Sequence, residues 1–114
     1  MEKLDFETYS QKAWEMAMTS TSDESSLLPI FVMGLCGEAG EVSEKFKKLL
    51  RDSGGNMTEE FKQEVAKELG DVLWYINALS KKLDISLEEV AQANINKIES
   101  RRARNVQHGN GDNR

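Results

Sequence analysis

The chain reads as an all-α protein, an antiparallel four-helix core. Three observations lead there. Apolar residues recur at three- and four-residue spacing through most of the length, with no strand-like alternation. A single proline and an aromatic content of 7% suit helices better than a β-sandwich. Capping and turn residues divide the periodic stretches into four segments. With 114 residues the chain can bury one core and not two. The domain is expected over residues 1–104, followed by a polar tail over 105–114.

The first helix is predicted over residues 5–19, with Asp5 as N-cap and Phe6, Tyr9, Ala13, Trp14 and Ala17 on one face. A polar loop rich in Ser and Thr follows, over 19–26. The second helix is expected over 27–50, capped by Ser25 or Ser26, because Pro29 is tolerated only in a first turn. Phe31, Leu35, Val42, Phe46 and Leu49 form its apolar face. Gly34, Gly37 and Gly40 each cost helix stability, which fits either close packing of a neighbouring helix or close approach of a ligand.

Asp52-Ser53-Gly54-Gly55-Asn56 is a loop signal. The third helix follows over 58–83, capped by Asn56 or Thr58. Its stripe is Phe61, Val65, Leu69, Val72, Leu73, Ile76 and Leu79. The fourth has the clearest start: Ser86 at the N-cap, Glu89 at N3, and Ile85 and Val90 spaced as a hydrophobic staple. It is expected over 87–104. The tail, polar and Gly-rich, should be disordered on its own.

Net charge is −5, which argues against coating a nucleic-acid polymer. Cys36 is the only cysteine, so no internal disulfide can form and a reducing cytoplasm is expected. The N-terminus lacks a signal-peptide pattern. The longest apolar run, ten residues over 27–36, is broken by Pro29 and Gly34, while a membrane span needs roughly 20. A soluble cytoplasmic protein with no membrane partner is therefore expected.

Two acidic pairs break this ordinary pattern. Glu38-Ala39-Gly40-Glu41 lies on the second helix and Glu68-Leu69-Gly70-Asp71 on the third. A helix turns by roughly 100° per residue, so each pair projects from one side. Phe31 and Leu49 flank the direction of Glu38; Phe61, Val72, Tyr75 and Leu79 flank that of Glu64, Glu68 and Asp71. Each face thus runs apolar, acidic, apolar. One such pair is usually a solvated surface. Two at matched spacing, both in the stripe, point to a hard divalent cation, which prefers oxygen ligands. Glu64 lies at the edge of the arc and reads as a neighbour of the site or plain surface.

The fourth helix carries an insert of opposite sign: Asn94, Lys97 and Arg101 on the side of Leu87 and Val90. Buried charges need partners, so these inserts should meet one another or a ligand, the bases meeting phosphates. Lys45 and Lys48 read as i,i+4 partners of Glu41 and Glu44. Tyr75 and Trp14 read as core, Cys36 as a small buried residue and His108 as solvated. There is no P-loop, no Rossmann fingerprint and no Cys–His zinc set. A ferritin-like di-iron site needs helical histidines, and His108 is the only one.

These motifs resemble the MazG-like nucleotide pyrophosphohydrolases, of the all-α NTP pyrophosphatase superfamily. The likeness rests on residues 34–44, on 68–75, on the downstream stretch 94–101 and on the ending 109–114. It implies that Glu38, Glu41, Glu68 and Asp71 bind Mg²⁺, with Mn²⁺ as a substitute, and that Asn94, Lys97 and Arg101 hold a triphosphate. One departure stands out: the family often has a doubled Glu at the start of the first motif, where this chain has Gly37.

The resemblance implies hydrolysis of a nucleoside triphosphate between the α- and β-phosphates, giving a monophosphate and pyrophosphate. Glu41 is then the expected catalytic carboxylate that accepts the proton of the attacking water. Phe31, Trp14 and Tyr75 are candidates to line a base pocket. The fold should be completed by a homodimer or homotetramer, since the helical stripes are broad for so small a core. The rival expectations are a non-catalytic nucleotide- or metal-binding protein and a helical, antitoxin-like interaction protein.

Overall fold

Four helices form, α1 (Phe6–Glu15), α2 (Glu24–Ser53), α3 (Glu59–Lys82) and α4 (Leu87–Ala103). The computed structural model describes residues 3–17 and 24–114, and no strand occurs among them.

The expected caps at Asp5, Thr58 and Ser86 are in place. Asp5 accepts the Thr8 N–H at 2.7 Å and Thr58 Oγ1 that of Phe61 at 3.1 Å. Ser86 and Glu89 exchange hydrogen bonds at 3.0 Å each way, closing the capping box. Ile85 and Val90, the staple pair, remain 42% and 39% exposed.

Three boundaries differ from expectation. α1 stops at Glu15, and most of the loop expected over 19–26 lies outside the described residues. α2 begins at Glu24, so Ser25 and Ser26 are helical rather than caps and Pro29 falls in the second turn. Proline's fixed φ is helical, and the helix extends backward past it at the cost of one hydrogen bond and of crowding between the ring and the carbonyl four residues earlier. At the other end α2 continues through Asp52 and Ser53. Gly54 and Gly55 then take positive φ, and the Gly55 N–H donates to the Leu49 carbonyl at 3.1 Å.

α2 and α3 form an antiparallel hairpin whose register is read from its side chains. Phe46 meets Phe61 edge-on at 5.1 Å, Lys45 pairs with Glu64 at 3.6 Å, and Phe31 reaches Tyr75 at 6.5 Å and Trp74 at 6.0 Å. Each step back along α2 is matched by a step forward along α3. The acidic pairs sit midway between these contacts.

The core gathers at the far end from the hairpin loop. Leu27, Phe31 and Ala78 are buried, with Trp14, Trp74, Tyr75 and Leu79 packed around them. Polar contacts pin α1 to α3: Ser10 Oγ donates to Asn77 Oδ1 at 2.6 Å, Asn77 Nδ2 to the Ser10 carbonyl at 3.1 Å, and Trp74 Nε1 to the Ala13 carbonyl at 3.3 Å. A tight turn through Asp84, which takes φ 57°, leads into α4.

α4 packs on α1 and α3, and no backbone contact joins it to α2. The chain is accordingly open. Its radius of gyration is 17.3 Å, against about 13 Å for a compact domain of this length. Leu28, Ile30, Val32 and Met33 on α2 and Val90, Ile95 and Ile98 on α4 are exposed. By length and composition alone, the stretch Ser25–Ser53 could cross a membrane, which the broken apolar run did not suggest. Glu38, Glu41 and Glu44 interrupt that stretch, and ionised carboxylates at a bilayer centre are costly.

The tail differs most from expectation. It folds back on α4 through arginines. Arg114 donates to the carbonyls of Val106, Gln107 and Gly111, and Arg104 to that of Arg114.

Candidate metal centre

The antiparallel register sets Glu38 of α2 opposite Glu68 and Asp71, which share one side of α3. One carboxylate oxygen from each of the three lies within 4.8 Å of the other two. Glu38 and Glu68 are half-buried and Asp71 is exposed. Crowding shows in the chemistry of Glu38. Its carboxyl is held above the ordinary range, first by desolvation, then by a hydrogen bond with Glu68 and by the charges of Asp71, Glu68 and Glu41. Three carboxylates so close repel unless a proton or a cation lies among them. The donor set is all oxygen, the chemistry of Mg²⁺ or Mn²⁺, so these residues fit a hard divalent ion.

Glu41, expected as a fourth ligand, is not one of the three whose oxygens meet within 4.8 Å, although its charge acts on Glu38. It lines a neighbouring groove of about 480 Å³ between α2 and α3, with Lys45, Lys48, Asp52 and Glu64. Lys45 reaches across the hairpin to Glu64 instead of pairing with Glu41, and Glu44 takes Lys47 at 2.9 Å instead of Lys48. The cross-hairpin pair forms because the register brings Glu64 beside Lys45, which spacing along one helix cannot reveal.

Tyr9 of α1 is the neighbour that spacing missed. Its hydroxyl pKa is raised, by burial first and then by the charge of Asp71. No motif marks it; only the docking of α1 on α3 brings it there.

The basic face of α4 turns to the tail. Asn94 is exposed. Lys97 Nζ and Arg101 Nη2 both contact Asp112 Oδ1 of the tail at 3.3 Å, and these partners hold the Asp112 carboxyl below its usual range, Lys97 foremost. Arg101 is buried, and its Nη2 also donates to the Asp112 carbonyl at 2.8 Å. Among the described residues no ion pair joins Lys97 or Arg101 to Glu38, Glu41, Glu68 or Asp71; α4 packs on α1 and α3 and has no backbone contact with α2.

The aromatic candidates for a base pocket are packed together. Phe31 lies edge-on to Trp14 and Trp74 at 6.0 Å, and Tyr75 meets Trp74 at 5.1 Å. Gly34 makes room for the Tyr75 ring, while a Cβ at Gly37 or Gly40 would meet nothing within 4 Å. Helix packing therefore explains the first glycine only. Cys36, expected to be buried, is exposed, and His108 is exposed as expected.

The chain is thus an all-α protein whose helical hairpin brings three carboxylates together from its two helices. The chain is a member of the MazG nucleotide pyrophosphohydrolase domain family, whose model matches residues 29–106. It is 49% identical over 87 residues to the Gene 37 protein of Mycobacterium phage L5, a match covering 76% of each chain. No solved structure matches it.

Proposed function

We propose that the protein hydrolyses nucleoside triphosphates at the α–β bond, releasing a nucleoside monophosphate and pyrophosphate, with Mg²⁺ held by Glu38, Glu68 and Asp71. The observation that carries this reading is the convergence of those three carboxylates from two helices. Membership of the MazG domain family supports the nucleotide as substrate class.

When bound there, the cation supplies charge neutralisation for the phosphates and makes water more acidic. The residues of the chain do the rest. Glu68 and Asp71 keep their ligand oxygens on one side of α3, and Glu38 closes the set from α2. Glu41 stands at the rim of the adjoining groove as the proposed proton acceptor. Lys97 and Arg101, with Asn94, supply the cationic and polar face for the departing pyrophosphate. Tyr75, packed on Gly34, acts through the shape of the wall rather than as an open platform for the base.

The enzyme is proposed to work as a homodimer or homotetramer. The open shape and the uncovered apolar side chains of α2 and α4 support this. A second copy is also the proposed route by which an α4 basic face meets an acidic cluster, since α4 has no backbone contact with its own α2. Residues 1–104 are taken as one domain carrying the tail 105–114. A cytoplasmic location, where nucleoside triphosphates and Mg²⁺ are abundant, goes with the reading.

The test is incubation of the protein with a panel of NTPs and dNTPs plus Mg²⁺, following pyrophosphate and monophosphate. Release of both in equal amounts is expected from at least one substrate. Tight Mg²⁺–nucleotide binding by calorimetry without product would favour the non-catalytic alternative. Sedimentation velocity gives the oligomeric state, and a monomer at micromolar concentration would overturn that part.

A further inference from the structure

Lys97 and Arg101, one turn apart on α4, share a single acceptor, Asp112 Oδ1, at 3.3 Å from each. Burial across this trio is uneven. Arg101 is 8% exposed, while the Asp112 side chain is 82% exposed. The guanidinium is fixed within the fold and its carboxylate partner lies on the outside. Arg101 Nε is buried and has no acceptor among the described residues. Arg101 thus carries one more donor than Asp112 and the tail carbonyls satisfy.

The loop does not depend on the Asp112 side chain. Arg101 Nη2 makes its shortest contact, 2.8 Å, with the backbone carbonyl of residue 112. Arg114 adds bonds to the carbonyls of Val106 and Gln107 at 3.0 and 2.9 Å. The carboxylate could leave and the loop would keep these anchors. Asp112 is the exposed partner of this pair, and the backbone carbonyl of the same residue stays on the Arg101 guanidinium when the carboxylate moves away. A phosphate group brings more charge and more acceptor oxygens than one carboxylate oxygen does.

We propose that Asp112 is a built-in counter-anion, seated on an anion site formed by Lys97 and Arg101 and displaced by a phosphate-bearing ligand. The nature of that ligand rests on the function proposed above, in which it is the pyrophosphate part of the substrate. Asp112 then sets how tightly the pyrophosphate product is held, by competing for the same two cations.

The probe is inorganic pyrophosphate, titrated calorimetrically into the full chain with EDTA present, so that no divalent ion bridges it to the acidic cluster. D112N is expected to bind it about three- to tenfold more tightly than the unaltered protein. The double variant D112N/K97M should lose that gain. Equal or weaker binding by D112N overturns the proposal, as does an absence of binding in both proteins. D112S, checked for the same helicity and melting temperature, serves in place of D112N if the latter misfolds, with the same two outcomes. Turnover with Mg²⁺ and nucleotides is measured alongside. A gain in D112N without turnover refutes the enzymatic reading and keeps the counter-anion; turnover without the gain does the reverse.

Discussion

Tyr75 packs directly on the backbone of Gly34. A Cβ at residue 34 would stand 2.7 Å from Tyr75 Cδ1 and nearer still to Cε1 and Cζ. The ring cannot easily give way, since Phe31 and Trp74 bound it at 6.5 and 5.1 Å. Gly34→Ala gains helix propensity but overpacks this contact, and the second effect is larger. A net loss of about 1–2 kcal/mol is expected in urea denaturation. Gly37→Ala, with open space around it, is expected to stabilise the chain by about 0.5–1 kcal/mol. A loss at Gly37 would instead mean that another molecule covers that face.

Asn77 is 1% exposed and spends both ends of its amide on Ser10. Truncation to Ala leaves the Ser10 hydroxyl buried without that acceptor. Asn77→Ala should cost about 1–3 kcal/mol. Because the lost bonds join α1 to α3, α1 should loosen first. Faster amide exchange over residues 6–15 than over α3 is the expected pattern; uniform change across both helices would contradict it.

The acidic cluster makes stability depend on pH in a defined direction. Glu38 has a folded-state pKa raised above 4.5, with desolvation as the leading cause. The folded protein then binds this proton more tightly than the unfolded chain does. The stability contributed by the group is full below the unfolded value and is lost as pH rises through the folded one. In EDTA, Glu38→Gln should therefore melt higher than the unaltered protein at pH 7, and the difference should shrink towards pH 4. An unchanged difference across that range would mean that Glu38 is not the group responsible.

Metal binding and turnover should separate at Glu41. Saturation of a site at a hundred times its Kd stabilises the folded state by about 2.7 kcal/mol. Mg²⁺ is expected to raise the melting temperature, and Glu38→Gln, Glu68→Gln and Asp71→Asn each to reduce that shift sharply. Glu41 lies outside the triad, so Glu41→Gln should keep most of the shift and still lose pyrophosphate release. Loss of the shift in Glu41→Gln would make it a ligand after all.

Local signals were the readable part of this fold. The caps at Asp5, Thr58 and Ser86 work through bonds within one turn, so their side chains announce them. The start of α2 was less readable, because Pro29 permits a helix to precede it. The packing role of Gly34 could not be separated from that of Gly37 and Gly40 by spacing, since it depends on which residue of α3 lies opposite. The folded tail was hidden by its polar composition; its hydrogen bonds run from Arg101, Arg104 and Arg114 to backbone carbonyls, which composition does not register.

The order of residues alone determined that four helices form, and that carboxylates three apart on two of them interrupt apolar stripes. These follow from helical periodicity, which acts within a few turns. Tertiary structure decided which acids meet. Glu38 joins Glu68 and Asp71 while Glu41 faces the groove, because the antiparallel register of α2 against α3 sets the pairing. It also decided the fate of the basic face, turning Lys97 and Arg101 to Asp112. Charges on separate helices have no fixed distance until the helices pack, and packing is set by apolar contacts far from the charges themselves.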